Sequence, residues 1–400
     1  MRKLNKLIVV LWPGHFREFE FYKYELNFLN KFYKIEVHNL YMINKKNYSR
    51  LFSEKFKKKN FNILSFNNFT DWKTKMKNHT KDKRVFVISF LSFNYLSAFK
   101  YFNYLINENI KVLEFLNFGF PEYSLSKYER NIFFYTDKIK SIVLRPIWSL
   151  QTLKKILSLY IFKLILFYKI KKNNFFILCT NKNNLTKTFK KSFSVINGNS
   201  WDYSSTLIKD SNKKKTPSIK YAVFLANPGP AEISDSLIMK QKYFTNQENY
   251  FNSLHFFLQQ VERKYNIPIY IALHPKVKNK NQRKFYKRKT FYGLTKDLVK
   301  NSEFVISTTS TGISYPLIYN KTLVVIYSDD YNNDPRLKKM TFFICNMLGI
   351  KKFNIDNFDL PHKRMFLQKI NQNIIYKFKK NYLSSERKKI PNFEIIKNII

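Results

Sequence analysis

Cysteine, glycine and acidic residues are all scarce in this sequence of 400 residues. The two cysteines, Cys179 and Cys345, stand in separate apolar segments outside any CxxC pair, which excludes a disulfide framework and a cysteine zinc site. No stretch reaches the roughly 18 uncharged apolar residues of a spanning helix, and the apolar run 7–12 is too short for a signal peptide. We therefore expect a cytoplasmic chain that does not cross a membrane.

The shortage of acidic residues leaves a large positive charge. There are 72 basic and 27 acidic residues, a net charge of +45, which first indicates nucleic acid or a membrane as partner. However, Lys, Asn, Ile, Phe and Tyr are all abundant while Gly and Ala are rare, which is typical of AT-rich codons. We take this codon bias as the main cause of the charge. At 44% hydrophobic residues the chain is globular and long enough for two or three domains.

Strand and helix patterns alternate along the chain and restart once, which indicates parallel sheets with helical crossovers. The sequence predicts an α/β fold with two Rossmann-like domains facing a central crevice. The predicted parts are an N-terminal domain (1–209), a linker (210–218), a C-terminal nucleotide-sugar domain (219–360) and a helical tail (361–400). Predicted strands cover 7–11, 33–40, 84–90, 111–116, 173–180, 194–196, 221–226, 268–273, 304–307 and 322–327. Predicted helices cover 18–31, 95–107, 250–265, 366–382 and 392–400.

Residues 153–172 form a basic amphipathic pattern. Five polar side chains fall within about a third of a helical wheel, and most of the remaining arc is Leu, Ile, Phe and Tyr, with Lys163 as the exception. The five are Lys154, Lys155, Ser158, Lys169 and Lys172. Such a helix either lies in the headgroup region of an anionic leaflet or packs on the first domain with its lysines exposed, and both interpretations stay open.

A His-Pro pair ends one of the predicted strands. The β-branched run 269–273 is followed by His274 and Pro275, and Pro cannot continue the hydrogen-bonded ladder. His274 is therefore expected at the carboxyl end of a strand, where open α/β sheets bind ligands. Lys276 starts a basic run that reaches Lys289. This run either screens the charges of a substrate or is a solvated surface.

A hydroxyl-rich turn follows a second strand. After the apolar run 304–306 come Ser307, Thr308, Thr309, Ser310, Thr311 and Gly312, and a helix is predicted to open at Gly312. Hydroxyls and free amides at a helix start suit a phosphate group. The loop after the first strand of the second domain carries Asn227 and Gly229, which we expect to touch the same ligand.

Residues 269–327 resemble bacterial sialyltransferase-type and surface-polysaccharide glycosyltransferases of GT-B architecture. The resemblance rests on the pairs His274-Pro275 and Ser310-Thr311 and on the order of residues between and after them. The resemblance implies a metal-independent, inverting transferase. It would move a CMP-linked nonulosonic acid or Kdo to an oligosaccharide or lipid-linked glycan acceptor, without a cofactor. The acidic-acidic-Gly motif of those families is replaced here by Asn117-Phe118-Gly119. Glu122, three residues after this Gly, is therefore the candidate base, with Glu18 and His15 of the first loop in reserve.

The chemistry of such a transfer is consistent with these residues. The leaving phosphate gains negative charge in the transition state, and His274 can donate a hydrogen bond or a proton to it. No DxD pair is present to hold a metal ion. Asp329-Asp330, the adjacent acidic pair, is predicted to be a polar loop.

Two alternatives stay open. One keeps the fold and uses a UDP-sugar or a CDP-alcohol as donor. The other is a non-catalytic basic protein that binds nucleic acid or a membrane. No nucleic-acid-binding signature is present, so we expect no specific nucleic-acid partner. We expect instead that the basic surface contacts the inner face of the membrane.

Overall fold

The computed structural model describes residues 6–40, 56, 58–82, 84–91, 96–116, 157–158, 161–162, 164–165, 167–185, 187–208, 216–227, 247–274, 285–308, 310–333, 335–359, 362–384 and 389–400. The chain divides into two compact units. The first comprises Met1–Asn199 and Asn392–Ile400, and the second comprises Ser200–Pro391. The boundary at Ser200 precedes the predicted linker (210–218), of which residues 210–215 lie outside the described residues.

The first unit contains a parallel sheet of seven strands in the order β3-β2-β1-β4-β5-β6-β7. Its first six strands follow the 3-2-1-4-5-6 order of doubly wound nucleotide-binding sheets. The central strands are apolar runs buried on both faces, as parallel sheets covered by helices require. The strands are β1 (Lys6–Trp12), β2 (Lys34–Asn39), β3 (Phe61–Ser65), β4 (Arg84–Ser89), β5 (Lys111–Leu116), β6 (Phe175–Cys179) and β7 (Ser194–Asn197).

The helices of the first unit cover this sheet. They are α1 (Glu18–Lys23), α2 (Leu26–Leu29), α3 (Phe69–Asp82), α4 (Phe99–Asn107) and α5 (Lys187–Ser192). Residues 157–169 are helical wherever they are described. The single helix predicted over 18–31 is instead broken at Glu25, which adopts a left-handed backbone with φ 56°. That conformation is costly for a residue with a side chain and ends the first helix.

The second unit contains a parallel sheet in the order β10-β9-β8-β11-β12-β13, which is again the doubly wound order. The strands are β8 (Ala222–Leu225), β9 (Ile269–Leu273), β10 (Thr290–Tyr292), β11 (Phe304–Ser307), β12 (Thr322–Tyr327) and β13 (Lys352–Asn354). The helices are α6 (Trp201–Leu207), α7 (Gln247–Tyr265), α8 (Thr295–Asn301), α9 (Ser314–Ile318), α10 (Asp329–Asn332), α11 (Pro335–Leu348), α12 (Lys363–Phe366) and α13 (Gln372–Phe378), followed by a π-helical turn at Lys379–Leu383. Two parallel sheets with helices confirm the predicted fold class.

One detail of the second unit differs from the sequence prediction. Asp329 and Asp330 do not lie in a polar loop but open α10, where Ser328 caps the helix by accepting the Tyr331 amide at 3.1 Å. Acidic residues are favourable at a helix start because the macrodipole is positive there. Asp329 also accepts a hydrogen bond from Asn354 Nδ2 at 2.8 Å, so it joins α10 to the end of β13.

The last residues of the chain return to the first unit as α14 (Asn392–Ile399). Asn199 and Asn392 exchange two hydrogen bonds, Asn199 N to Asn392 Oδ1 at 2.9 Å and Asn392 Nδ2 to Asn199 O at 2.8 Å. Glu25 Oε2 accepts the Phe393 amide at 2.8 Å. This carboxylate caps α14, and its charge suits the positive end of the helix. Among the described residues, no helix combines the length and the apolar character needed to span a bilayer.

Candidate functional site

Three neighbouring strands of the second sheet end at one edge, and each carries a residue predicted for the site. Leu225 of β8 lies beside Ala272 of β9 on one side and Ser307 of β11 on the other. Asn227 lies two residues after Leu225, and His274 lies two residues after Ala272. Adjacent strands are about 4.8 Å apart, so β9 and β11 are separated by about 10 Å with the end of β8 between them. The sheet order reverses between β8 and β11, and doubly wound sheets bind their ligands at this point.

The hydroxyl-rich turn after β11 is closed by Ser310. Ser310 Oγ accepts the Gly312 amide at 3.2 Å, and the Ser310 carbonyl accepts the Ile313 amide at 3.1 Å. A 3₁₀ turn at Thr311–Ile313 then leads into α9, as the sequence predicted for a helix start. The Gly312 amide, expected to face a phosphate, thus already has an acceptor inside the turn. The Ser310 hydroxyl proton can still be donated to an anionic oxygen.

Thr308 is a further candidate residue of this turn, which the sequence does not single out from its neighbours. The residue is 1% exposed, and within the described part of the chain its Oγ1 has no hydrogen-bond partner. A buried hydroxyl without a partner costs about 1–3 kcal/mol, so such a group often marks the place of a ligand or water. The only signal in the sequence was membership of the hydroxyl-rich run, which does not distinguish Thr308 from its neighbours.

A second layer of polar contacts holds α9 behind the turn. Ser314 donates a hydrogen bond to the Asp202 carboxylate of α6, and the hydroxyls of Tyr315 and Ser205 are 3.3 Å apart. Lys296 Nζ donates to the Ser205 carbonyl at 3.3 Å. Burial and then the nearby Asp202 charge raise the pKa of Tyr315 well above its ordinary value, so the phenol stays neutral. These contacts fix the position of the helix that begins at the Ser310 turn.

Of the candidate bases, His15 lies where the order of the first sheet reverses. It follows β1, which is flanked by β2 and β4, and it is half-buried. Glu18 is exposed in the first turn of α1.

Of the residues predicted to bind the donor, Asn227 and Ser310 are half-buried. Glu122, Gly229, Pro275, Lys276 and Thr309 lie outside the described residues, and of Thr311 only the backbone is described.

The first sheet also contains a buried carboxyl group that the sequence analysis missed. Glu114 of β5 is 3% exposed and lies beside Ser89 of β4. Burial raises the pKa of Glu114 well above its ordinary value, although the Ser89 hydroxyl partly opposes the shift. This shift favours the protonated form of the Glu114 carboxyl group.

Three potential metal ligands meet between β2 and α3. One potential ligand atom from each of Glu36, His38 and His79 lies within 4.8 Å of the other two, and all three residues are buried. His79 Nε2 is 2.9 Å from Glu36 Oε2, whereas His38 Nε2 is 3.8 Å from the same oxygen, beyond hydrogen-bond distance. By residue type alone this set could bind a transition metal ion.

The hydrogen bond from Trp72 argues against a metal at this position. Trp72 Nε1 is 3.2 Å from His38 Nδ1, and because an indole nitrogen only donates, Nδ1 is the unprotonated nitrogen of His38. The proton of neutral His38 therefore lies on Nε2, the atom that would have to bind the metal. Metal-bound histidines donate through their second ring nitrogen, but here that nitrogen faces a donor. The cluster is better described as a buried hydrogen-bonded group.

This cluster predicts how stability depends on pH. Burial lowers the pKa of His38 below its ordinary 6.5, so the unfolded chain takes up a proton near that pH while the folded chain does not. The free energy of unfolding should therefore fall as the pH drops below 6.5, by about 1.4 kcal/mol per pH unit for one proton. For Glu36, burial raises the pKa, but the two imidazoles and Lys75 outweigh it and lower it overall. Its contribution is also lost in acid, below its ordinary value of 4.5.

Denaturant unfolding of the full chain between pH 4 and 8 measures this slope. His38→Gln, whose amide oxygen can still accept from Trp72, should flatten it between pH 5 and 6.5. An unchanged slope in this variant would contradict the assignment to His38.

Comparison with known proteins adds a likeness of fold. No protein-family model and no curated protein matches the sequence. Among solved structures, the chain is similar to MurG of Acinetobacter baumannii, with 9% identity over 99% of this chain and 98% of that chain and a TM-score of 0.45. It is also similar to CalG4, the calicheamicin glycosyltransferase, with 8% identity, 100% and 98% coverage and a TM-score of 0.48. A third similar structure is Arabidopsis thaliana UGT89C1 complexed with UDP-L-rhamnose, with 9% identity over 100% of this chain and 98% of that chain and a TM-score of 0.48. At these sequence identities the similarity is one of backbone fold alone.

Proposed function

We propose that this chain is a glycosyltransferase that moves a sugar from a nucleotide-linked donor to a glycan acceptor, with inversion at the anomeric carbon. The donor we propose is a CMP-linked nonulosonic acid or Kdo, and the product is a surface polysaccharide. The observation that carries the proposal is the edge of the second sheet, where His274, Asn227 and the Ser310 turn end three adjacent parallel strands. The ends of β9 and β11 are about 10 Å apart, and an imidazole and a group of hydroxyls that follow them can converge on a phosphate with its attached ribose.

The proposed role of His274 follows from where charge develops. The acceptor oxygen forms a bond to the anomeric carbon while the bond from that carbon to the donor phosphate oxygen breaks. The electron pair of the broken bond stays on the phosphate, which leaves as the nucleotide. A hydrogen bond or proton from His274 to this oxygen stabilises the transition state more than the bound donor, which is the condition for catalysis.

The hydroxyl groups of the turn would hold the remaining phosphate oxygens. Ser310 can donate its hydroxyl proton while its oxygen keeps the Gly312 amide in place. The buried Thr308 hydroxyl would gain the partner that it lacks among the described residues. The reaction as proposed needs no metal ion, because the leaving phosphate is stabilised by hydrogen-bond donors of the protein.

The acceptor hydroxyl must lose its proton as it attacks. We assign this step to the first unit, where His15 follows β1 at the point of strand-order reversal. Glu122 is the second candidate for the same role. An imidazole is suited to the step because its unprotonated ring nitrogen can accept the proton.

Nucleotide binding in the absence of metal tests the donor site. Isothermal titration of CMP, CDP, UMP and UDP should show preferential binding of CMP, and Thr308→Val should weaken it by about three- to tenfold, the value of one hydrogen bond. Because the Thr308 hydroxyl has no partner among the described residues, Val should leave the thermal stability unchanged or slightly higher. His362→Ala, at an exposed histidine of the same unit, is the matched control and should bind like the wild type.

The four nucleotides separate the candidate functions. A preference for UDP or CDP would keep the transferase and replace the donor by a UDP-sugar or a CDP-alcohol. If none of the four bound to the wild-type protein, the donor site proposed at this sheet edge would be wrong.

A further inference from the structure

Exposed apolar side chains are concentrated on one stretch of the first unit. Of the 13 large apolar side chains that are exposed in the described part of the chain, five lie between residues 157 and 168. Their exposed fractions are 60% for Leu157, 47% for Ile161, 53% for Leu164, 38% for Ile165 and 92% for Tyr168. They are spaced at i, i+4, i+7, i+8 and i+11, so on a helix they form one continuous apolar stripe about 100° wide. We call these five residues the outer stripe.

The opposite side of the same stretch is fixed to the first unit. Phe162 is 3% exposed and its ring centroid lies 4.8 Å from that of Phe99 in α4. Phe167 packs against Phe189 and Phe193 of the α5 region with ring centroids 5.2 and 5.7 Å away. Because these contacts are made by the inward-facing aromatics, the outer stripe is not held by the core. The apolar arc of this segment is thus wider than the surface available to bury it.

The charged residues that flank the outer stripe in the sequence are all basic. No acidic residue occurs between positions 138 and 201, whereas this range contains 13 Lys and Arg residues. At the carboxyl end of the stretch Lys169, Lys171 and Lys172 are exposed, and Lys190 and Lys191 of α5 are exposed as well. An apolar stripe bordered by lysines matches a surface that is anionic outside and apolar beneath, which describes a bilayer containing acidic lipids.

We propose that the outer stripe docks the chain on an anionic lipid leaflet, with Tyr168 and the Leu and Ile side chains at the level of the headgroups and the lysines on the lipid phosphates. A second copy of the chain is a poorer occupant, because each copy has a net charge of +45 and would bring the same lysines together. The proposal does not depend on the glycosyltransferase function and fails or holds separately from it.

Vesicle flotation with the full chain tests the docking. The wild type should float with phosphatidylcholine vesicles that contain 30% phosphatidylglycerol and should stay unbound with pure phosphatidylcholine. The triple variant Ile161→Ser, Leu164→Ser, Tyr168→Ser should lower the binding to the anionic vesicles by at least tenfold at constant salt. The control Phe256→Ser, Phe342→Ser removes two exposed aromatics of the second unit and should bind like the wild type. All replaced side chains are exposed or outside the core, so folding should be preserved and can be checked by circular dichroism.

Insertion can be measured directly because both native cysteines are buried. A polarity-sensitive dye attached at Tyr168→Cys should shift its emission to the blue when anionic vesicles are added, and the same dye at Phe256→Cys should not. The proposal would be overturned if the triple variant bound anionic vesicles as well as the wild type and the dye at position 168 showed no shift. The interaction would then be nonspecific charge attraction. The proposal would also be overturned if the wild type were a dimer in sedimentation analysis and the triple variant a monomer.

Discussion

His274→Ala is expected to lower the rate of sugar transfer by about 10²–10⁴-fold, the usual contribution of a general acid or charge-stabilising donor. His274 directly follows β9 and is half-buried, so its removal should not open the sheet core. Donor binding should weaken much less than the rate, because the imidazole acts mainly on charge that develops in the transition state. Initial rates of nucleotide release with a CMP-linked donor, compared with nucleotide affinity by calorimetry, measure the two effects separately.

A second variant distinguishes chemistry from positioning. His274→Gln keeps a hydrogen-bond donor but cannot transfer a proton, so it should recover part of the rate if a hydrogen bond suffices and none if proton transfer is needed. His362→Ala should have wild-type rates. If His274→Ala lost affinity and rate in equal proportion, uniform binding would explain the effect and the catalytic role would be contradicted.

The sequence was sufficient to locate most strands, because a buried parallel strand is a short apolar run between polar turns. Ile269–Leu273, Phe304–Ser307 and Thr322–Tyr327 have bounds within one residue of the prediction. Helices with little apolar surface were harder to find. α3 was missed because it presents only a few core side chains, among them Trp72 and Met76, in an otherwise polar and basic sequence.

Other features depend on contacts between distant residues and have no local signal. Glu25 breaks the helix predicted over 18–31, and its carboxylate accepts the amide of Phe393, 368 positions away. His38 and Glu36 lie within a buried strand, where charged groups are rarely expected, and their partners Trp72 and His79 come from α3. A sequence-based prediction places each of these groups on its own element and does not reveal that they meet.

At the candidate site the sequence identified the strand ends but not the state of each group. The turns after β8, β9 and β11 were predicted from Asn227, His274 and Ser310, and the sheet order brings them to one edge. Two details depend on backbone geometry within five residues. The Gly312 amide is bonded within the turn, and the buried Thr308 hydroxyl has no partner among the described residues, whereas the equally buried Ser307 hydroxyl has one. Residue identity does not encode geometry at this scale.

His79→Ala is expected to destabilise the first unit by about 3–5 kcal/mol, because it leaves the buried Glu36 carboxylate without its closest partner. Glu36 has a side chain that is 4% exposed, and His79 donates to it at 2.9 Å. Lys34 lies 3.4 Å from the other carboxylate oxygen but is itself 44% exposed, so it cannot replace the lost hydrogen bond within the core. Urea unfolding followed by tryptophan fluorescence is suitable, because Trp72 contacts His38 and is buried. Trp201→Phe removes a signal of the second unit from the measurement.

The two partners of Glu36 provide the control. Lys34→Ala should cost no more than about 1 kcal/mol, since the ion pair it breaks is solvent-exposed on one side. The double variant Glu36→Gln, His79→Ala should be more stable than His79→Ala alone, because a neutral amide is less costly to bury unpaired than a carboxylate. The double-mutant cycle then isolates the pair from the cavity that alanine leaves. Equal losses for His79→Ala and Lys34→Ala would show that Glu36 reaches water in solution, and the pH dependence assigned to the cluster would lose its physical cause.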